Sequence, residues 1–168
     1  MIGYAIGATQ VSVDDPRGDT ETVWALQPAT LIYTARLMSG VRYWSELYYY
    51  TANLGAAMDR IGQDVEQFGL QVSLQKSLPV SPGWVTWFGA GIGVSQTNYT
   101  TRYTIDNEGY LLARYPDRSD TGAALLLNFV SEWSLSRNWS LGVKLEQAVA
   151  VAGDTEGSRG LLALFYRY

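Results

Sequence analysis

The sequence contains neither cysteine nor histidine. Without cysteine the chain can form no disulfide framework and no thiolate metal site. Without histidine it lacks the commonest general base and the commonest transition-metal ligand. A Ser-His mechanism is therefore excluded, and we predict a protein without enzymatic activity, without a cofactor and without a metal site.

Basic charge and long apolar runs are also scarce. The chain has 12 Lys and Arg against 16 Asp and Glu, which argues against nucleic-acid binding because that affinity rests on basic side chains. The longest uncharged run, residues 77–101, contains two prolines and many small polar residues. It does not suit a membrane-spanning helix of about 20 apolar residues, whereas its apolar part, residues 84–94, has the length of a membrane strand.

Length and composition indicate one folded domain. The chain has 168 residues, of which 47% are hydrophobic and 17% are charged, so we predict a single domain over residues 1–168. The first residues, Met1-Ile2-Gly3-Tyr4, have neither the basic nor the apolar region of a secretory signal. We expect Met1 to be an added start in front of a mature chain.

Alternation of apolar and polar residues recurs along the sequence and predicts β-strands. In residues 65–76 one face carries large apolar side chains, and the other carries mainly glutamine, glycine and serine. Eight strands are predicted, near 2–13, 21–35, 41–51, 65–76, 84–96, 121–134, 139–151 and 159–168. An even number of antiparallel strands closes a barrel with both termini on one side. Pro28 within the second strand predicts a bulge or a local break.

The connections between these strands alternate in length. Those near 36–40, 77–83 and 135–138 are short, and those near 14–20, 52–64, 97–120 and 152–158 are mostly longer and polar. In outer-membrane barrels the short turns are periplasmic and the long loops are outside. Acidic side chains outnumber basic ones in the long connections, which predicts an acidic outer face. They are Asp14, Asp15, Asp19, Asp59, Asp64, Asp106, Glu108, Asp117, Asp120, Asp154 and Glu156 against Arg17, Arg60, Arg102, Arg114 and Arg118.

A soluble barrel, whose apolar faces would point inward, is the alternative to a membrane barrel. Two features favour the membrane. Gly89, Gly91, Gly93 and Ser95 occupy one strand face, and a narrow eight-stranded lumen needs small residues between large ones. Trp and Tyr also cluster toward strand ends, as in an aromatic girdle. They are Tyr4, Trp24, Trp84, Trp133, Trp139, Tyr166 and Tyr168. We therefore predict an all-β, eight-stranded antiparallel up-and-down transmembrane β-barrel.

The last strand alternates Leu162, Leu164, Tyr166 and Tyr168 on one face and ends on an aromatic residue. In this it resembles the small outer-membrane barrels, the family of the OmpA transmembrane domain, OmpX and the opacity-type surface proteins. The resemblance implies that Tyr166 and Tyr168 are read by the barrel-assembly machinery. It also implies a bacterial outer-membrane location among lipid and lipopolysaccharide, with extracellular loops and both termini in the periplasm.

If Tyr168 faces lipid, alternation directs its neighbour into the lumen. The same parity places a charge cluster inside, composed of Arg42, Glu46, Glu132, Lys144, Glu146 and Arg167. Charges in a narrow, poorly hydrated space need partners. The resemblance implies a salt-bridged plug, and a gated ion path or a lumenal binding site is the alternative. Paired carboxylates such as Glu46 and Glu132 could also serve acid-base chemistry, although their spacing does not single this out.

The longest loop contains two β-prone runs around Asp106-Asn107-Glu108-Gly109, which predicts a hairpin turn at these four residues. We predict a ribbon that continues beyond the bilayer and exposes Tyr99, Tyr103, Ile105, Tyr110, Leu112 and Tyr115. Its four tyrosines, Tyr99, Tyr103, Tyr110 and Tyr115, are the candidate interaction residues. Packing of these side chains on neighbouring loops is the alternative.

Three functions are compatible with this sequence. The leading hypothesis is a non-enzymatic surface barrel, structural or adhesive, whose loops contact a host or envelope protein. The second is a narrow channel for ions or small solutes. The third is an accessory subunit of a larger envelope complex.

Overall fold

The computed structural model describes residues 1–14, 20–56, 60–153 and 157–168. These residues form nine antiparallel strands: β1 Ile2–Asp14, β2 Thr20–Met38, β3 Val41–Leu54, β4 Gly62–Ser81, β5 Trp84–Ile105, β6 Leu111–Arg114, β7 Arg118–Ser134, β8 Trp139–Ala152 and β9 Gly157–Tyr166. No helix in this part of the chain is long and apolar enough to cross a membrane.

Eight of the strands close into a ring, in the order β1, β2, β3, β4, β5, β7, β8 and β9. Pairing of β1 with β9 joins the two ends of the chain, from Ile2 opposite Tyr166 to Thr9 opposite Arg159. The short strand β6 pairs only with the end of β5. The predicted eight-stranded up-and-down barrel is confirmed, with β6 as an addition in the longest loop.

Both termini lie at one end of the barrel, together with the turns at 39–40, 82–83 and 135–138. We call this the terminal end and the opposite one the loop end. The connection predicted at 77–83 is too long, because β4 continues to Ser81 and Pro79 pairs with Val85. A shift in register beside Pro79 accommodates the proline at the end of the strand.

Pro28 marks a defect in the barrel wall, as predicted. Ala5 pairs with Thr30 but Gly7 pairs with Gln27, so the register of β1 and β2 shifts beside the proline. The pairing of β2 with β3 runs from Ala29 opposite Tyr49 to the terminal end. Since proline has no N–H to donate, the ladder is interrupted where Pro28 stands.

Apolar side chains cover the outside of the barrel, so the soluble alternative is wrong. The large apolar side chains with about half of their surface exposed include Ile6, Leu31, Phe68, Phe88, Ile92, Leu125, Leu127, Leu145, Val149 and Leu162. Aromatic side chains lie outward near the terminal end, where the rings of Trp84 and Trp133 stack 6.0 Å apart. Such a surface matches the apolar band and aromatic girdle of membrane barrels.

Candidate functional site

Four charged side chains form a closed network inside the barrel, and we call them the ion quartet. They are Glu46 on β3, Lys144 and Glu146 on β8, and Arg159 on β9. Lys144 Nζ lies 2.5 Å from Glu46 Oε1 and 2.6 Å from Glu146 Oε2. Arg159 Nη2 lies 2.6 Å from a carboxylate oxygen of each glutamate. Two cations thus neutralise two anions, which is what charges in a narrow lumen require.

An apolar layer separates the quartet from the terminal end. It consists of the buried side chains Ala5, Ile32, Trp44, Trp87, Val130, Leu161, Ala163 and Phe165. The rings of Trp44 and Phe165 meet edge to face with their centroids 5.5 Å apart. Trp44 also donates from its indole nitrogen to Glu46 Oε1 at 2.6 Å, which ties this layer to the quartet.

A second charged group, which we call the mouth triad, lies at the terminal end. Glu132 on β7 accepts from Arg42 Nη1 at 2.7 Å and from Arg167 Nη2 at 2.9 Å. Arg42 is 2% exposed, whereas the side chain of Arg167 is 37% exposed at the barrel opening. The Met1 ammonium group lies nearby, and partial burial together with the charge of Arg167 lowers its pKa.

The six charged residues predicted for the lumen therefore lie in two separate groups. The structure brings Glu46, Lys144 and Glu146 together and places Arg42, Glu132 and Arg167 at the mouth. Glu46 and Glu132 do not form a carboxylate pair, because each is bound to its own cations. Acid-base chemistry between those two glutamates has no geometric basis.

A second apolar layer lies between the quartet and the loop end. It contains the buried side chains Val11, Ala25, Tyr48, Tyr50, Val65 and Tyr99. A cavity of about 50 Å³ lies beside it, lined also by Gln67, Gln71 and Arg159. A space of this size and polarity holds a few water molecules. Apolar layers thus lie across the lumen on both sides of the quartet.

The predicted hairpin in the longest loop is present. β6 pairs with the end of β5, from Tyr103 opposite Arg114 to Ile105 opposite Leu111. We call residues 103–114 the ribbon. At its tip the Asp106 side chain accepts from the backbone N–H groups of Glu108 and Tyr110, at 2.9 and 2.8 Å, and Gly109 adopts a φ of +87°. These features define a closed turn that glycine makes possible.

The four candidate tyrosines differ in position. Tyr110 is 68% exposed at the tip of the ribbon, next to Leu111 and Leu112 at 52% and 65%. Tyr103 and Tyr115 are partly buried. Tyr99 is 3% exposed, so its predicted exposure is wrong. Tyr99 still pairs with β4 and β7 within the barrel wall. It is an even number of residues from the buried Trp87 on the same strand, so its ring also points into the lumen.

The base of the ribbon holds a pocket of about 460 Å³. Its lining includes Arg102, Tyr103, Arg114, Tyr115 and Asp117. The guanidinium carbon of Arg102 lies 5.9 Å from the centre of the Tyr115 ring. Thr101 beside it has a φ of +53°, a left-handed conformation that is unfavourable for a β-branched residue.

No protein-family model and no curated protein matches the sequence. Solved structures do match over nearly the whole chain. The outer membrane protein OprG from Pseudomonas aeruginosa is 9% identical with a TM-score of 0.63, over 99% of this chain and 95% of its own. Ail, the attachment invasion locus protein of Yersinia pestis, is 10% identical with a TM-score of 0.59, over 99% and 97%. Neisserial surface protein A is 12% identical with a TM-score of 0.59, over 97% and 93%.

The fold is that of the small outer-membrane barrels. This likeness agrees with the resemblance of the last strand. In this outer-membrane barrel fold Tyr166 and Tyr168 lie on the outer face, 43% and 79% exposed, and the neighbouring phenol of Tyr33 raises the pKa of Tyr168. Their role in assembly stays a prediction.

Arg159 is the member of the ion quartet that was not predicted from the sequence. Alternation along the last strand predicts its direction, because Arg159 and Arg167 are an even number of residues apart and therefore point to the same side, into the lumen. Of the predicted acidic outer face, Asp15, Asp19, Asp59, Asp154 and Glu156, together with Arg17, lie outside the described residues, as does the side chain of Asp14.

Proposed function

We propose that this chain spans a bacterial outer membrane with its loop end outward and serves there as a non-enzymatic surface module that binds partners through the ribbon. This proposal rests on the structure of the ribbon. Beyond Tyr103, which is the last residue of β5 that pairs with β4, the ribbon continues past the barrel wall. It presents the exposed apolar group Tyr110, Leu111 and Leu112. Exposed apolar groups on a defined turn are typical of interaction sites.

The filled lumen supports a surface role over a channel. A solute would have to pass the ion quartet and two layers of buried apolar side chains. Breaking one buried ion pair costs about 3 to 5 kcal/mol, which is a high barrier to spontaneous opening. We therefore expect the purified protein to give no steady current in planar bilayers, and a steady current would favour the channel instead.

The ribbon is tested with a triple variant, Tyr110→Ser with Leu111→Ser and Leu112→Ser, in cells that carry the protein on their surface. Binding of the cells to host cells or to an abiotic surface should fall at least about tenfold, since loss of 1.4 kcal/mol changes an affinity tenfold. The matched control is Leu135→Ser, because Leu135 is 61% exposed in a turn at the opposite end. Unchanged binding by the triple variant would contradict the proposal.

Membrane insertion is tested separately. The folded barrel should migrate differently on a detergent gel before and after boiling, in the parent and in both variants. Accessibility of Tyr110 to a protease added outside intact cells should then report the orientation of the loop end. Cleavage only after the outer membrane is opened would reverse the proposed orientation.

Acidic saccharides are a second class of ligand, favoured by the pocket at the base of the ribbon. Guanidinium groups of Arg102 and Arg114 bind sulfate or carboxylate, and the rings of Tyr103 and Tyr115 offer faces for sugar rings. The structure of Ail has been solved with the heparin analogue sucrose octasulfate. Arg114→Gln should weaken retention on immobilised heparin, whereas Arg137→Gln at the terminal end should not. Equal retention of the two variants would count against this ligand.

A further inference from the structure

The terminal end of the barrel opens into a cavity of about 720 Å³ that the surface function does not use. Its lining includes Arg36, Arg42, Trp84, Trp87, Glu132 and Arg167. Arg42 and Arg167 share the single carboxylate of Glu132, at 2.7 and 2.9 Å. With Arg36 exposed at the rim, three guanidinium groups face one carboxylate, and the cavity wall carries an excess of positive charge.

Two buried hydrogen-bond donors at this cavity have no acceptor among the described residues. They are Nη2 of Arg42, in a residue 2% exposed, and the indole nitrogen of Trp87, in a residue 8% exposed. The two side chains lie together, with the guanidinium carbon of Arg42 3.9 Å from the centre of the Trp87 ring. A buried donor without an acceptor is costly, so such a pair indicates a missing acceptor.

Two other tryptophans near Trp87 have an acceptor for their indole N–H group. The indole nitrogen of Trp84 donates to Ser131 Oγ at 2.8 Å, and that of Trp44 donates to Glu46 at 2.6 Å. The indole N–H group of Trp87 differs from these two in having no acceptor among the described residues. An anion at this place would meet the positive charges of Arg42 and Arg167. It would accept from Arg42 Nη2 and from the indole nitrogen of Trp87, and it could enter from the opening past Arg167.

We propose that the terminal mouth binds an oxyanion of the phosphate class. The Trp87 indole and the second amino group of Arg42 donate to it from inside, and Arg167 closes over it from the opening. Guanidinium groups match the geometry of phosphate oxygens and bind them more strongly than neutral donors do. The phosphate belongs either to a free ion or to the headgroup of a lipid, since the aromatic girdle surrounds the same opening.

The site is tested with the whole protein purified in a phosphate-free maltoside detergent. Binding of inorganic phosphate is followed by calorimetry and by ³¹P line broadening, with chloride as the reference anion. Trp87→Phe keeps the ring but removes the N–H, and Arg167→Gln removes the charge at the opening. Each should weaken phosphate binding at least about tenfold, as expected for a charge-assisted hydrogen bond. Trp139→Phe is the matched control, because Trp139 is 44% exposed on the outer face near the same opening and does not line the cavity.

A parallel titration with short-chain phosphatidic acid separates the two sources. Saturable binding of inorganic phosphate that both variants weaken supports a site for the free ion. Saturable binding of phosphatidic acid alone, weakened by the same variants, supports a lipid headgroup. The proposal is overturned if neither probe saturates, if chloride competes equally, or if Trp87→Phe and Trp139→Phe bind alike. Gel mobility before boiling verifies that every variant is folded.

Discussion

The phenolic hydroxyl of Tyr4 on β1 donates a hydrogen bond of 2.5 Å to the carbonyl oxygen of Pro28 on β2. This contact lies where the register of the two strands shifts and the ladder is interrupted. A backbone carbonyl exposed to lipid has no water to bind. Tyr4 is 49% exposed on the outer face, so its ring lies in the apolar band while its hydroxyl satisfies the Pro28 carbonyl.

Removal of this hydroxyl should destabilise the barrel. Tyr4→Phe leaves the Pro28 carbonyl without its partner, so the free energy of unfolding in lipid vesicles should fall by about 1 to 3 kcal/mol. Urea titration followed by tryptophan fluorescence measures it. Tyr49→Phe is the control, because Tyr49 is 44% exposed on the same outer face and its hydroxyl makes no hydrogen bond with the described residues. Equal losses in both variants would speak against a special role for Tyr4.

Loss of one charge from the ion quartet should greatly lower the free energy of unfolding. Lys144→Met leaves two glutamates with one arginine, and the free energy of unfolding should fall by about 3 to 5 kcal/mol. Adding Glu146→Gln removes the excess negative charge and should restore part of the loss. Lys76→Met is the comparison, since Lys76 is exposed on the outside of β4. A double variant less stable than the single one would argue against charge balance as the cause.

Closure of the ring depends on Gly7. A Cβ atom at this position would lie 2.0 Å from the carbonyl oxygen of Gly160, inside the β1 to β9 seam. Gly7→Ala should therefore lower the free energy of unfolding by at least about 3 kcal/mol, or leave much of the protein unfolded on gels. Gly55→Ala provides the control, because a Cβ atom there would have open space, with no atom beyond its chain neighbours within 4 Å. If both variants fold equally well, the tight seam is not essential.

The Asp106 carboxylate should determine the rigidity of the ribbon tip. Asp106→Ala removes two hydrogen bonds to the turn, so amide hydrogen exchange at Glu108 and Tyr110 should accelerate at least about tenfold. Glu108→Ala changes a neighbouring carboxylate but keeps both hydrogen bonds, and exchange should stay near the parent rate. Barrel stability should be unaffected in both. Unchanged exchange in Asp106→Ala would mean that other contacts hold the turn.

The sequence was sufficient to predict the barrel, and the reason is geometric. In a strand the side-chain period is two, so one outward residue such as Tyr166 determines the direction of all the other side chains on β9. Tyr99 was assigned wrongly because alternation does not indicate where a strand leaves the barrel wall. The division of the lumenal charges into a quartet and a triad depends on the stagger between strands, which strand parity alone does not specify.

The continuity of β5 has a mechanical consequence. This strand extends from Trp84 at the terminal end to Ile105 in the ribbon, and from Trp84 to Tyr99 it is paired with both β4 and β7. Its register against β4 shifts beside Thr101, at the base of the ribbon. A pull on the ribbon tip, as when an attached cell is held against flow, would act parallel to β5. Such a force loads many hydrogen bonds of the barrel wall at once in shear, rather than opening them one after another. The paired part of the barrel wall would then anchor the contact.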